Sequence, residues 1–179
     1  MKESTRSLIM CALMLVLLAG TSSVPAQAAA RQASSTTACA SSRIQVAQAP
    51  TASLQGIPWL AASPHSSGIS GYFFFIRPGA KAADATLHTG GKMPNGDSTK
   101  VLWIVGNEGA GSSLIVDGQN LTGPGRSHQS FPVAGGGLPG ANFPSILMVP
   151  TPGCWRFLLR SGTARGTVVL PVVAAAAST

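Results

Sequence analysis

The fold is decided by the stretch PTPGCWRFLLRSG, residues 150–162. A Pro/Gly corner comes first, and an alternating apolar run follows it until Gly162. Successive side chains of a β-strand point to opposite faces. One face of this strand therefore carries Trp155, Phe157 and Leu159, and the other carries Cys154, Arg156, Leu158 and Arg160. We predict that the tryptophan face enters a hydrophobic core and that Cys154 points outward.

Three further runs are strong strand signals because β-branched and aromatic residues dominate them. They are GISGYFFFI (residues 68–76), TKVLWIV (99–105) and TVVLPVV (167–173). The run at 99–105 is apolar on both faces, so we place it centrally in its sheet. Weaker runs occupy residues 84–89, 112–116, 119–122, 127–133 and 143–149. The dipeptide Asp117-Gly118 is typical of tight turns, and we predict a turn there.

Helical spacing of apolar residues is absent from the sequence beyond residue 28. Short strands separated by Gly/Pro turns are typical of sandwiches. The sequence therefore predicts an all-β domain over residues 57–173, an antiparallel β-sandwich of about 7–9 strands.

The first 28 residues have the pattern of a secretory signal peptide. Lys2 and Arg6 give a positive start, residues 8–18 form an apolar run of 11 residues, and Ala26-Gln27-Ala28 supplies the small residues that a signal peptidase requires. This run is too short for a permanent membrane span. We expect a signal peptide at residues 1–28 and a secreted or extracytoplasmic protein of the cell envelope. Retention of the segment as a membrane anchor is the alternative.

Residues 29–56 are rich in Ala, Ser, Thr and Gln and contain few large apolar side chains. Such a composition buries too little surface to offset the entropy of ordering. We predict a disordered linker at residues 29–56 and a disordered tail at residues 174–179.

Cleavage would leave two cysteines, Cys39 and Cys154. An even pair in an exported protein indicates one disulfide. Because Cys154 is expected on the outer face of its strand, we predict that Cys39 attaches the preceding polar segment to the outside of the sheet.

Cleavage would also remove Lys2, Arg6 and Glu3, leaving a net charge of +6 with His neutral. A basic chain favours anionic cell-wall polymers or lipid head groups. The basic residues never cluster in sequence, so a sparsely charged surface is expected rather than a nucleic-acid patch.

Three motifs give the chain a resemblance to a known group. They are PTPGCWR (150–156), KVLW (100–103) and LIVDGQNLTG (114–123). On these motifs, residues 57–173 resemble uncharacterised immunoglobulin-like domains of bacterial exported proteins and lipoproteins. The resemblance implies an immunoglobulin-like sandwich outside the cytoplasm, and it implies no catalytic residues.

Residues with catalytic or metal-binding chemistry are few. Gly153-Cys154-Trp155-Arg156 is similar to the Gly-Cys-x-Arg of L,D-transpeptidases, but Thr151-Pro152 replaces the Ser-His of that family. A nucleophilic cysteine needs a base or a cation to lower its pKa. The histidines, His65, His88 and His128, have unrelated spacings and are expected at the surface. No catalytic residue, metal or cofactor is expected.

Two aromatic residues are candidate binding residues. Trp59 and Tyr72 could stack on sugars, and the alternative is that they pack beneath a loop or the N-terminal segment. The sequence thus favours a non-enzymatic exported module that interacts with a cell-wall polymer or another envelope protein. A carbohydrate- or wall-binding module and a cysteine-dependent cell-wall enzyme centred on Cys154 are the alternatives.

Overall fold

A computed structural model of the chain describes residues 39–77, 79–106 and 108–175. Nine β-strands dominate this part of the chain. They are β1 (Trp59–Ala61), β2 (Ile69–Phe73), β3 (Leu87–His88), β4 (Lys100–Val105), β5 (Ser113–Asn120), β6 (Arg126–Pro132), β7 (Ala141–Ile146), β8 (Gly153–Ser161) and β9 (Ala164–Val173). Four single-turn 3-10 helices lie between them, at Ala52–Leu54, His65–Ser67, Ala82–Asp84 and Thr89–Gly91. None of the helices in these ranges is long and apolar enough to cross a membrane.

The strands form two sheets. The four-stranded sheet has the order β1-β2-β4-β7 and is antiparallel throughout. The five-stranded sheet has the order β3-β9-β8-β5-β6, in which only β3 runs parallel to its neighbour. The predicted all-β sandwich is confirmed, and so is the central position of the apolar strand β4.

The inner faces of both sheets supply one hydrophobic core. Trp155, Phe157 and Leu159 of β8 are fully buried in it, while Arg156, Leu158 and Arg160 are exposed, as the alternation predicted. Trp103 enters the core from β4, and its indole N–H donates to Ser145 Oγ over 3.0 Å. Ser145 donates in turn to the carbonyl of Val101, so this polar pair is satisfied inside the core.

The first described segment, residues 39–57, is here called the N-terminal arm. It forms backbone hydrogen bonds with Val169 of β9 through Ser42 and with Trp59 of β1 through Gln45. The arm thus contacts both sheets and pairs with the edge strand β1. This differs from the predicted linker, of which residues 29–38 lie outside the described part of the chain. The amino-acid composition predicted disorder, because it contains few large apolar side chains. The arm is instead held by backbone pairing and by a few apolar contacts.

The predicted turn at Asp117-Gly118 is wrong, because both residues lie inside the single strand β5. A Cβ on Gly118 would lie 3.1 Å from the Phe157 ring and would also collide with Ser127 Oγ. Glycine is therefore required by close packing between neighbouring strands rather than by a turn. Of the predicted tail, Ala175 donates its N–H to Thr89 Oγ1 over 2.9 Å, and residues 176–179 lie outside the described ranges.

Candidate functional site

Four arginines share the outer face of the five-stranded sheet. Strand β8 contributes two of these arginines through its alternation, and β6 and β9 contribute one each. We call this surface the basic face and define it by Arg126, Arg156, Arg160 and Arg165. The sequence suggested that basic residues do not cluster, but strand pairing brings these four together from separate segments.

Asp117 of β5 is the acidic side chain of this face. Its Oδ1 lies 2.6 Å from Nδ1 of His128, which stands directly opposite on β6, and its Oδ2 accepts a hydrogen bond from Arg160. The hydrogen bond from His128 is the main cause that lowers the pKa of Asp117 below 3.8, and Arg160 lowers it further against a desolvation effect that raises it. Asp117 is therefore a carboxylate at neutral pH.

We expect Asp117→Asn to lower the stability of the fold in a pH-dependent way. A depressed folded-state pKa stabilises the protein above the unfolded-state pKa, and this contribution is lost as the pH falls through the folded-state pKa. Urea unfolding at pH 7 should show a loss of about 0.2–1 kcal/mol, as is usual for partly exposed ion pairs. The difference between wild type and variant should shrink when the measurement is repeated at a pH well below 3.8. An equal difference at both pH values would contradict the role given to this carboxylate.

The remaining arginines of the basic face have different partners. Arg156 Nη2 donates to Gln119 Oε1 over 2.7 Å. Arg165 turns back to the carbonyls of Gly162 and Ala164. Within the described ranges, neither Arg126 nor Arg156 forms an ion pair. Arg165 has only these carbonyl partners, so three of the four guanidinium groups of this face have no carboxylate partner in this part of the chain.

An open groove of about 560 Å³ lies on the part of the basic face that β5, β6 and β8 form. It is lined by Asp117, Gly118, Gln119, Arg126, Ser127, His128, Arg156 and Leu158. Guanidinium, amide, imidazole and carboxylate groups therefore surround a single apolar side chain, Leu158, which is 43% exposed. Such a set of groups can bind a charged ligand through hydrogen bonds and ion pairs.

The chain matches no protein-family model, no curated protein and no solved structure.

The predicted cysteine pair is brought together. The sulfur atoms of Cys39 and Cys154 lie 1.98 Å apart, at disulfide distance. Cys154 belongs to the outward row of β8 and is nevertheless only 6% exposed. A sulfur in this state is not available as a thiolate nucleophile. The geometry therefore gives no support to a cysteine-dependent enzyme.

The candidate binding aromatics Trp59 and Tyr72 are buried rather than exposed. Their rings stack with centroids 6.3 Å apart, and Ala49 and Leu54 of the N-terminal arm pack against them. Tyr72 is fully buried and Trp59 is 7% exposed. Both rings thus pack beneath the N-terminal arm, and neither offers a free face to a sugar in this structure.

The histidines do not form a metal site. Among the described residues (39–175 except positions 78 and 107), no three His, Cys, Asp or Glu side chains are arranged to hold a metal ion. His65 lies in a single-turn helix, His88 ends β3, and His128 pairs with Asp117.

Asn120 has a structural role that its sequence context does not indicate. Its amide donates to Thr151 Oγ1 and to the Pro152 carbonyl, both over 3.0 Å, and its Oδ1 accepts from Thr122. Asn120 therefore joins the β5–β6 turn to the loop that leads into β8. Asn120 is 93% buried. Its side-chain amide, which is the acceptor group of the glycosylation sequon Asn-Leu-Thr at 120–122, is therefore already engaged in hydrogen bonds within the protein.

Proposed function

We propose that this chain is an exported, non-enzymatic immunoglobulin-like module that binds an anionic polymer through its basic face. The observation that carries the proposal is the convergence of four arginines on one sheet face, three of them without a carboxylate partner among the described residues. The proposal has three parts, which concern the fold type, the compartment and the ligand.

The strand order supports an immunoglobulin-like fold. Immunoglobulin domains place strands A, B and E in one sheet and strands C, F and G in the other, and C′ joins the second sheet in the variable type. Strands β2, β4 and β7 correspond to A, B and E, and strands β5, β6, β8 and β9 correspond to C, C′, F and G. With this assignment, the neighbouring pairs A–B, B–E, C–C′, C–F and F–G of immunoglobulin domains are also neighbours here. The cysteine pair differs, because it joins strand F to the N-terminal arm rather than to strand B.

An extracytoplasmic location is supported by two independent features. The first 28 residues have the signal-peptide pattern described above. The cysteine sulfurs at disulfide distance are compatible with an oxidising compartment, since cytosolic proteins seldom keep disulfides.

Charge on the basic face supports an anionic ligand. Its four arginines outnumber its single carboxylate, and the groove holds Arg126 and Arg156, two of the three that form no ion pair within the described ranges. Guanidinium groups bind phosphate and carboxylate oxygens through two parallel hydrogen bonds. An extended anionic polymer would place successive charges along this face, which spans β6, β5, β8 and β9.

Binding of the full-length protein to inorganic polyphosphate tests the proposal. We expect Arg126→Gln combined with Arg156→Gln to weaken binding at least about tenfold at 50 mM salt, because each charged hydrogen bond contributes about 1.5–3 kcal/mol. Fluorescence anisotropy at 50 and 200 mM salt gives the affinities, and the double variant should show the weaker salt dependence.

The matched control is Arg43→Gln combined with Arg77→Gln, which removes the same charge from exposed positions outside the basic face. We expect this control to change the affinity less than about twofold. Equal losses in the two double variants would mean that binding follows net charge alone and would refute a specific face. An absence of wild-type binding to polyphosphate and to other anionic polymers alike would refute the proposed function itself.

A further inference from the structure

We propose that the ligand of the basic face is a phosphodiester-linked polyol, in which each phosphate has a hydroxyl group close to it. This inference rests on the proposed function and narrows the class of anionic polymer. It follows from the way in which hydrogen-bond donors and acceptors are separated along the groove.

One end of the groove contains donors. Gln119 stands opposite Arg126 on β6 and opposite Arg156 on β8, so the three side chains form one row across three strands. Two inter-strand spacings, about 10 Å, separate the backbones of the two arginines, and both long side chains can reach a group above Gln119. Since Gln119 Oε1 accepts from Arg156, its amide N–H groups remain as further donors. This row suits a phosphate.

The neighbouring row contains acceptors. Asp117 lies two residues before Gln119 on β5, on the same face and about 7 Å away. Its carboxylate has about four acceptor positions, of which His128 and Arg160 use two. The side chain of Asp117 is 32% exposed, so its remaining acceptor positions are accessible to a ligand. Acceptors require a ligand that donates, and hydroxyl groups do so.

A plain polyanion satisfies only half of this arrangement. Its oxygens would bind the arginine row. Beside Asp117, however, the polymer would place a like charge next to the carboxylate and would have no hydrogen-bond donor for it. A polyol phosphate places an oxyanion on the first row and a hydroxyl donor on the second. Leu158 stands opposite Asp117 on β8 and gives the carbon chain of the polyol an apolar surface.

The test compares two probes with equal numbers of phosphates, poly(glycerol phosphate) and inorganic polyphosphate, on the full-length protein. Net charge alone would favour polyphosphate, which has the denser charge. We expect the wild-type protein to prefer poly(glycerol phosphate) by about tenfold, the effect of one hydrogen bond to a charged group. We expect Asp117→Asn to weaken binding of poly(glycerol phosphate) and to strengthen binding of polyphosphate, because a negative charge is removed.

Methylation of the hydroxyls of poly(glycerol phosphate) gives a second readout on the unaltered protein, and it should abolish the preference even if Asp117→Asn fails to fold. If polyphosphate binds as well as poly(glycerol phosphate), or if Asp117→Asn changes both affinities in the same direction, the polyol inference is overturned while the proposed function stands. If neither probe binds, the proposed function fails and this inference fails with it.

Discussion

Replacing Cys39 and Cys154 together by alanine is expected to lower the free energy of unfolding by about 4 kcal/mol. The cross-link joins residues 115 positions apart, and closing a loop of that length restricts the unfolded chain by about 4–5 kcal/mol in the chain-entropy model. The native contacts of the N-terminal arm would remain, since hydrogen bonds to Val169 and Trp59 hold it independently. The effect should therefore arise mainly in the unfolded state.

Urea unfolding under non-reducing conditions measures this change. A more expanded unfolded chain exposes more surface, so the denaturant dependence (the m-value) should increase in the variant. Wild-type protein treated with a reductant provides the control, and its unfolding curve should coincide with that of the variant. A loss below about 1 kcal/mol would show that the cross-link adds little to the fold, against the expectation from loop length.

The second large effect is expected at Trp103, where replacement by alanine should cost about 3–5 kcal/mol. Trp103 is fully buried on the central strand β4, and its removal would leave a cavity between the sheets. The indole N–H bond to Ser145 would also be lost.

Gly71 offers a specific control for this prediction. A Cβ at this position would lie 2.6 Å from Cζ3 of Trp103, so Gly71→Ala should destabilise the wild type by about 1–3 kcal/mol through overpacking. In the Trp103→Ala background the same methyl group has space. The two changes should therefore be non-additive by at least about 1 kcal/mol in a cycle of urea unfolding measurements. Additive losses would show that the two residues do not pack as described.

Local patterns predicted the elements whose evidence lies within one strand. Alternation assigned Trp155 to the core, and apolarity on both faces placed Thr99–Val105 at the centre of its sheet. The cysteine pairing followed from counting, because only one pair would remain after cleavage. These features depend on period and composition, which a single sequence records directly.

Features that depend on partners distant in sequence were missed. Asp117-Gly118 fits a turn, yet Phe157 and Ser127 from other strands explain the glycine. Arg126 and Arg156 become neighbours only because Gln119 lies between them in the paired sheet. The N-terminal arm appeared too polar to fold, because its hydrogen bonds to β1 and β9 cannot be anticipated from composition. The sequence therefore indicated the sandwich but not its basic face.

The cross-link between the arm and β8 also determines how the chain transmits mechanical force. A pull applied before Cys39 and beyond Ala175 passes through the sulfur atoms directly into β8, so the loop of residues 40–153 carries no tension while the bond is intact. Gly153 and Val172 are opposite each other, so the load enters β8 and β9 at the same end of their hairpin. Such a load separates backbone hydrogen bonds one after another rather than all together. That hairpin carries Arg156, Arg160 and Arg165, so tension acts first on the strands that hold most of the basic face.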